Sequence, residues 1–313
     1  MKLIGLKTSN GKTTGDIAFY CKVLKVSRQG FYKYLDNLNK PWKYEALAAE
    51  IKKILVEDEC NDTYGYIRMY EALTLKMQIE PTKIASLPSK QTVYRVMKKL
   101  NLIHAKKRKP NGITKADKEA RKSDDMIKRD FSANEPLEKC VTDVTEVKTA
   151  DGKLYISAIE DCFDSTVLGL SMADNMRAEL CTNTLKNAIE TYPDLKGAIV
   201  HSDRGSQYTS EEYRKTTSEN EINQSMNSAG GRCHDNAKAE SLWGRFKEEL
   251  LYDRYNTEKM SMDSVKSLIW RYFMGYWNNR RICSANGGMP PMIKRQQYYQ
   301  NKNIASKSID NAT

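Results

Sequence analysis

Paired cysteines are missing from this sequence. Its seven cysteines, at 21, 60, 140, 162, 181, 233 and 283, are odd in number, widely spaced and never arranged as C-x-x-C. That excludes a disulfide framework and a zinc ribbon, and reduced thiols point to a cytoplasmic protein. No apolar run approaches the ~20 residues of a membrane span. The opening residues turn polar too early for a secretion signal. No sustained heptad repeat with apolar a and d positions is present, so the chain carries no obvious dimerising zipper. Histidine is scarce, at three residues. No Cys/His ligand spacing accompanies His201 or His234, which are therefore read as core or loop residues.

What is abundant is positive charge. The 313 residues carry 51 Lys and Arg against 40 Asp and Glu, a formal net charge of +11. Between Lys98 and Arg129 stand twelve basic and four acidic residues, so most of the excess lies in one stretch. A concentrated basic stripe is the footprint of phosphate contacts. Lys106, Lys107, Arg108 and Lys109, followed by Pro110 and Gly112, also read as a linker, so this stretch is expected to tether and to touch a polyanion.

Residues 1–105 show helical periodicity, in Ile17, Tyr20, Cys21 and Leu24 and again in Leu47, Ile51, Ile54 and Leu55. Two segments resemble helix-turn-helix elements. In one, Arg28 opens a helix after a short turn; in the other, Ser89 caps a helix that exposes Lys90, Gln91 and Arg95. An ordinary helical bundle with charged surfaces is the alternative. Beyond residue 140 the grammar changes. Strands are expected at 140–148, 154–163, 167–173, 198–202 and 222–226, with Asp151-Gly152 marking a hairpin. Helices are expected at 178–192, from Thr209 with Glu212 as its capping partner, and at 236–251. This order gives a mixed α/β sheet with helices packed on it.

Three carboxylates stand out by position. Asp143 lies inside the first strand, Asp203 ends the fourth, and Glu240 lies in the first turns of the long helix, bordering its stripe of Ala239, Leu242, Phe246 and Leu250. Converging anions repel, and without a cation one is driven neutral. Magnesium prefers oxygen ligands, and two or three carboxylates suffice to hold it. Two such ions can activate the attacking oxygen and stabilise the leaving one in phosphodiester displacement. Taken singly, each acid could be a surface or capping residue; falling together at a strand, a strand end and a helix start, they point to one site. Asp161 and Asp235 are read as structural, and Trp243 and Phe246 as core. Asp143 is not followed by Thr-Gly or Ser-Gly, which argues against an aspartic protease.

Thr142-Asp143-Val144-Thr145, then Leu154-Tyr155-Ile156-Ser157-Ala158-Ile159-Glu160-Asp161, then His201-Ser202-Asp203-Arg204-Gly205-Ser206-Gln207-Tyr208, then Asp235-Asn236-Ala237 leading to Glu240, resemble the retroviral-integrase-type core of bacterial insertion-sequence transposases. The match is to the second reading frame of the IS-three type. Tyr64-Gly65-Tyr66-Ile67-Arg68 and Val93-Tyr94-Arg95-Val96-Met97 resemble the segment before that core. Tyr276-Trp277-Asn278-Asn279-Arg280-Arg281 through Pro291 resembles the motif after it. The resemblance implies an RNase H-like integrase core with a mixed five-stranded sheet, preceded by an all-α helix-turn-helix region. It implies Asp143, Asp203 and Glu240 as catalytic metal ligands for two Mg2+ ions, with Mn2+ as a substitute. It also implies Lys247 as a DNA contact, beside Lys106, Lys107, Arg108, Lys109, Arg28, Lys90 and Arg95. The partners implied are DNA ends, target DNA, further copies of the chain, and an upstream-frame polypeptide or frameshift fusion.

Departures accompany the match. Thirty-six residues separate Asp203 from Glu240, one more than the family usually leaves, and residues 227–232 form a Gly-rich loop that can absorb it. Cys140 and Glu146 stand where aromatics are common, and Cys283 near a usual His. The expected organisation is a helical region over 1–105, a basic linker over 106–135, the catalytic core over 136–300 and a tail over 301–313. A DNA-binding regulator and a stand-alone nuclease remain as rivals. The first has no use for the carboxylates, and the second little use for the helical region.

Overall fold

The computed structural model describes all residues except 10, 11, 13, 39, 83, 104–123, 228–235 and 311–313, together with the side chains of 14, 15 and 305–310. Lys106, Lys107, Arg108 and Lys109 lie outside the described residues, as do His234, Asp235 and most of the Gly-rich loop. The chain forms two compact units, Met1–Glu50 and Ile51–Thr313, so the division falls at residue 50 rather than at 105.

In the first unit α1 (Lys2–Lys7), α2 (Thr14–Val23) and α3 (Arg28–Leu38) surround a small core of Ile4, Ile17, Cys21 and Phe31. The turn between α2 and α3 is short. Lys25 adopts a left-handed conformation (φ 52°), and Ser27 Oγ accepts the Gly30 N–H at 2.9 Å, capping α3. Helix α4 (Glu45–Glu57) spans the division.

In the second unit α5 (Tyr66–Ile79) packs on α6 (Lys90–Lys99). Ser89 caps α6 as expected, accepting from Thr92 N. The intervening segment, residues 80–89, is longer than the turn of three or four residues in a tight helix-turn-helix.

The sheet has the order β3-β2-β1-β4-β5, with β1 (Lys139–Thr149), β2 (Gly152–Asp161), β3 (Val167–Ala173), β4 (Ile199–Ser202) and β5 (Asn223–Met226). The first three strands are antiparallel neighbours; β1, β4 and β5 run parallel. The expected strands are thus present within two residues at each end. Parallel strands need crossovers, supplied by α7 (Ala178–Thr191) and by α8 (Ser206–Thr209) with α9 (Glu211–Glu219). Ser210, not Thr209, caps α9 by accepting from Tyr213 N; Thr209 instead closes the short α8. Gly169 lets α7 approach β3, because a Cβ there would stand 2.4 Å from the Thr184 carbonyl oxygen.

Successive β1 residues point to opposite faces. Cys140 joins the large core of Leu185, Val200, Tyr208 and Tyr213. Val141 joins Cys162 and Ala239 on the other face, where α10 (Ala237–Phe246) crosses the sheet and continues as one π-helical segment, Lys247–Leu251. Helix α11 (Met262–Trp270), a second π-helical segment (Arg271–Trp277) and α12 (Pro291–Asp310) complete the unit. Five of the six described cysteines are buried, and all six are free. Among the described residues no helix is long and apolar enough to cross a membrane.

Candidate active site

Parallel pairing sets the first two carboxylates side by side. Lys139, Cys140 and Val141 pair with Ile199, Val200 and His201. The next residues of β1 and the turn just past β4 bring Asp143 and Asp203 close enough for the charge of one to raise the other. Alternation keeps Asp143 on the face of Val141, the face on which Ala239 of α10 packs. Asp143 is half-buried within β1, and Asp203 is half-buried just past the end of β4. Burial pushes the Asp143 carboxyl up to about 7, and the negative charges of Asp203 and Glu240 push the same way. Asp203 is also raised by burial, while a hydrogen bond from Gly205 N–H (2.9 Å to Oδ1) and His201 oppose that rise. A Cβ at position 205 would lie 3.0 Å from Asp203 Oδ1, so glycine allows this close turn.

Glu240 projects from the first turn of α10 and is exposed. Three contacts fix that turn. Asn236 Nδ2 donates to the Thr142 carbonyl at 3.1 Å, Ala239 packs on Val141, and Lys238 pairs with buried Glu160 at 3.1 Å while donating to Ser165 Oγ at 3.0 Å. Thr142 Oγ1 lies 3.3 Å from the buried Tyr208 hydroxyl on the opposite face.

Lys247 is half-buried at the start of the π-helical segment. Burial pushes its ammonium down, while Glu146 and Asp143 pull it up. Its charge therefore acts within reach of the aspartate pair, as the two-turn spacing from Glu240 implies.

The other candidates scatter. Arg28 is exposed at the start of α3 in the first unit; Lys90 and Arg95 are exposed on α6 in the second. His201 is a core residue, with Nδ1 2.9 Å from Ser225 Oγ and Nε2 2.8 Å from Asn227 Oδ1. Asp161 is structural: with Asp164 it binds Arg295 of α12. Trp243 is buried against Phe246 and Phe273. Sequence reasoning missed Asn236, the Glu160–Lys238 pair and the polar edge of Trp243. Only the place of Trp243, three residues after Glu240, carried a signal.

The donors suit a hard divalent cation. They are oxygen atoms only, and they are mutually repelling anions, one of them driven toward neutrality without a counter-charge. On the same turn as Glu240, the buried Asn236 Oδ1 has no hydrogen-bond partner among the described residues. No three His, Cys, Asp or Glu side chains among the described residues already converge to ligand distance.

A five-stranded sheet of this order with helices packed on it defines an integrase-type core of RNase H-like fold, the core of a polynucleotidyl transferase. Two models described as an integrase core domain match residues 133–231 and 220–291. Putative transposase InsK for insertion sequence element IS150, from Escherichia coli (strain K12), is 32% identical over 89% of this chain and 93% of its own length, and the insertion element IS600 uncharacterized 31 kDa protein of Shigella sonnei is 30% identical over 90% and 98%. Transposase InsF for insertion sequence IS3A, from Escherichia coli (strain K12), is 26% identical over 91% and 94%. Among solved structures, the HTLV-2 integrase catalytic core domain in complex with magnesium (trimeric form) is 17% identical, with a TM-score of 0.38, over 52% of this chain and 99% of that one. This chain belongs to the insertion-sequence transposases with an integrase-type core.

Proposed function

We propose that Asp143, Asp203 and Glu240 are the metal ligands with which this transposase cuts DNA at insertion-sequence ends and joins them to target DNA. The observation that carries the reading is the convergence of Asp143 in β1 with Asp203 just past the end of the adjoining β4, with Asp143 raised to about 7 by burial and by its acidic neighbours. Such a cluster gains most from a cation. Magnesium, as two ions, with manganese as a substitute, supplies Lewis-acid activation of the attacking oxygen and stabilises the leaving one.

The chain's own residues do the rest. The Gly205 N–H holds Asp203 Oδ1, leaving the other oxygen for the cation. The clamped first turn of α10 fixes the backbone from which Glu240 reaches toward the aspartates when the cation is bound, and Lys247 receives a phosphate of the DNA end. Arg28, Lys90 and Arg95, with Lys106, Lys107, Arg108 and Lys109, supply backbone contacts that position the duplex. Two ends must be held together, so several copies act on one DNA. The chain lacks a zipper, so an upstream-frame polypeptide or a frameshift fusion provides further end recognition. A bacterial cytoplasm is the compartment this reading requires.

Asp143→Asn, Asp203→Asn and Glu240→Gln should each lower cleavage and strand transfer of end oligonucleotides in magnesium by roughly a thousandfold. That corresponds to losing several kcal/mol of charge stabilisation. Gel-shift affinity for the same DNA should stay within about threefold, because phosphate contacts lie elsewhere. Full activity in any one variant removes that residue from the site.

A further inference from the structure

Helix α10 packs on β1. Ala239 packs on Val141. Four residues along the helix from Ala239 stands Trp243; two residues along the strand from Val141 stands Asp143. Both steps advance about 6–7 Å on the facing sides of the two elements. These steps bring Trp243 toward Asp143, one helical turn beyond the Ala239–Val141 contact.

The indole itself is wedged in place. It is 6% exposed, with Phe246 and Phe273 meeting it edge to face at centroid distances of 6.1 and 5.9 Å. Its Nε1–H is buried and has no partner at full hydrogen-bond geometry among the described residues. The carboxylate it meets is Asp143, in a contact that falls short of full hydrogen-bond geometry. The contrast with Trp277 is informative, since that indole donates to the Ser165 carbonyl at 2.8 Å. An unpaired buried donor costs about 1–3 kcal/mol, and a phenylalanine would fill the same aromatic cluster without that cost. A tryptophan here is explained by what its N–H faces.

We propose that Trp243 is a positioning residue for the metal site: its indole N–H holds one oxygen of Asp143 and so aims the other toward the cation. This rests on Asp143 being a metal ligand. A donor behind a ligating carboxylate restricts its rotation and fixes which oxygen faces the metal, and loss of such a support typically costs 10–100-fold in metal affinity or activity. Trp243 touches neither substrate nor metal and acts only through Asp143.

The test uses the full chain and reads the indole directly. Four tryptophans give four indole N–H signals after 15N-tryptophan labelling, and the signal absent from Trp243→Phe belongs to Trp243. In metal-free protein that signal should move in Asp143→Asn, because a charge-assisted hydrogen bond becomes a neutral one, while the Trp277 signal stays in place. Magnesium titration of the wild-type protein should move it as well. In strand-transfer assays Trp243→Phe should need roughly tenfold more magnesium for half-maximal rate, with its EDTA melting temperature close to wild type. A Trp243 signal indifferent to Asp143→Asn overturns the proposal, as does a wild-type magnesium requirement in Trp243→Phe. Should that variant fail to fold, the Asp143→Asn comparison decides alone, with the signal assigned through Trp42→Phe, Trp270→Phe and Trp277→Phe. That comparison needs no metal, so absence of magnesium binding by the wild-type protein would sink the ligand reading separately.

Discussion

A single carboxylate organises much of the second unit. Glu249, two residues beyond Lys247, is buried. It accepts Arg281 Nε and Nη2 at 2.8 and 2.7 Å, Arg68 Nη1 at 2.9 Å and the Tyr272 hydroxyl at 2.9 Å. Burial alone would raise its carboxyl, but Arg281, Arg68 and Tyr272 outweigh it and hold the group at about 2 against an ordinary 4.5. Between those values the folded state binds fewer protons than the unfolded one. The stabilisation is therefore complete above pH 4.5 and is lost as the pH falls toward 2, by about 3 kcal/mol in all. Asp161, raised by burial and by Asp164 to about 6 despite Arg295, works in the opposite sense; its contribution is present below 3.8 and is lost as the pH rises through 6. Glu249→Gln separates the two. It should cost about 3–5 kcal/mol at pH 7, because it leaves two buried or half-buried guanidinium groups without their anion. The loss of stability between pH 4.5 and 2 should shrink correspondingly in urea titrations followed by circular dichroism. An unchanged acid limb would show that Glu249 does not govern it.

At the scale of elements, α10 is what ties chemistry to fold. Its first turn carries Glu240, and the Glu160–Lys238 pair pins that turn to β2. Glu160 is 5% exposed and Lys238 19% at the side chain. Removing one partner strands the other charge, whereas removing both is tolerated far better. Lys238→Met should lower stability by about 3 kcal/mol, and the double variant Lys238→Met with Glu160→Gln should recover most of it in the same denaturation assay. Equal losses in single and double variants would mean that the pair contributes only packing. The strands were legible in the sequence because alternation and turn residues are local signals. The break from α-helical to π-helical geometry at Lys247 was not, since nothing in the spacing from Ala239 to Leu250 departs from an ordinary amphipathic helix. In the structure that break accompanies a buried Glu249 beside a Lys247 that still reaches the site.

At the scale of the molecule, the segment from Asp58 to Glu71 is stitched to the end of the chain. Arg271 binds Asp58, Arg254 binds Asp62, Tyr64 accepts the Ile282 N–H, Arg68 binds Glu249, and Ser284 donates to Glu71. Helix α5 therefore supports the catalytic unit, and the three-helix unit before residue 50 is the separate body. The basic run Lys106, Lys107, Arg108 and Lys109 joins α6 to the sheet along the chain. If it contacts phosphates, replacing all four with glutamine should flatten the dependence of log affinity on log salt by up to about 3–4, near one unit per lost contact. A gel-shift titration from low to moderate salt reads the slope directly; an unaltered slope would reduce the run to a tether.

The sequence by itself determined the strand and helix order, the place of three acids at a strand, a strand end and a helix start, and the basic excess that calls for a polyanion. Each of these is written in neighbouring residues or in total charge. Only the tertiary structure decided that β1 and β4 pair so that the charges of Asp143 and Asp203 meet, that the N–H of Trp243 is buried without a partner among the described residues, that Lys238 finds Glu160, and that the first fifty residues form a unit of their own. Those outcomes depend on pairings between residues tens to hundreds of positions apart. The register of parallel strands and the packing of a crossing helix select them, because an unpaired buried charge or donor is costly and few arrangements satisfy every one at once.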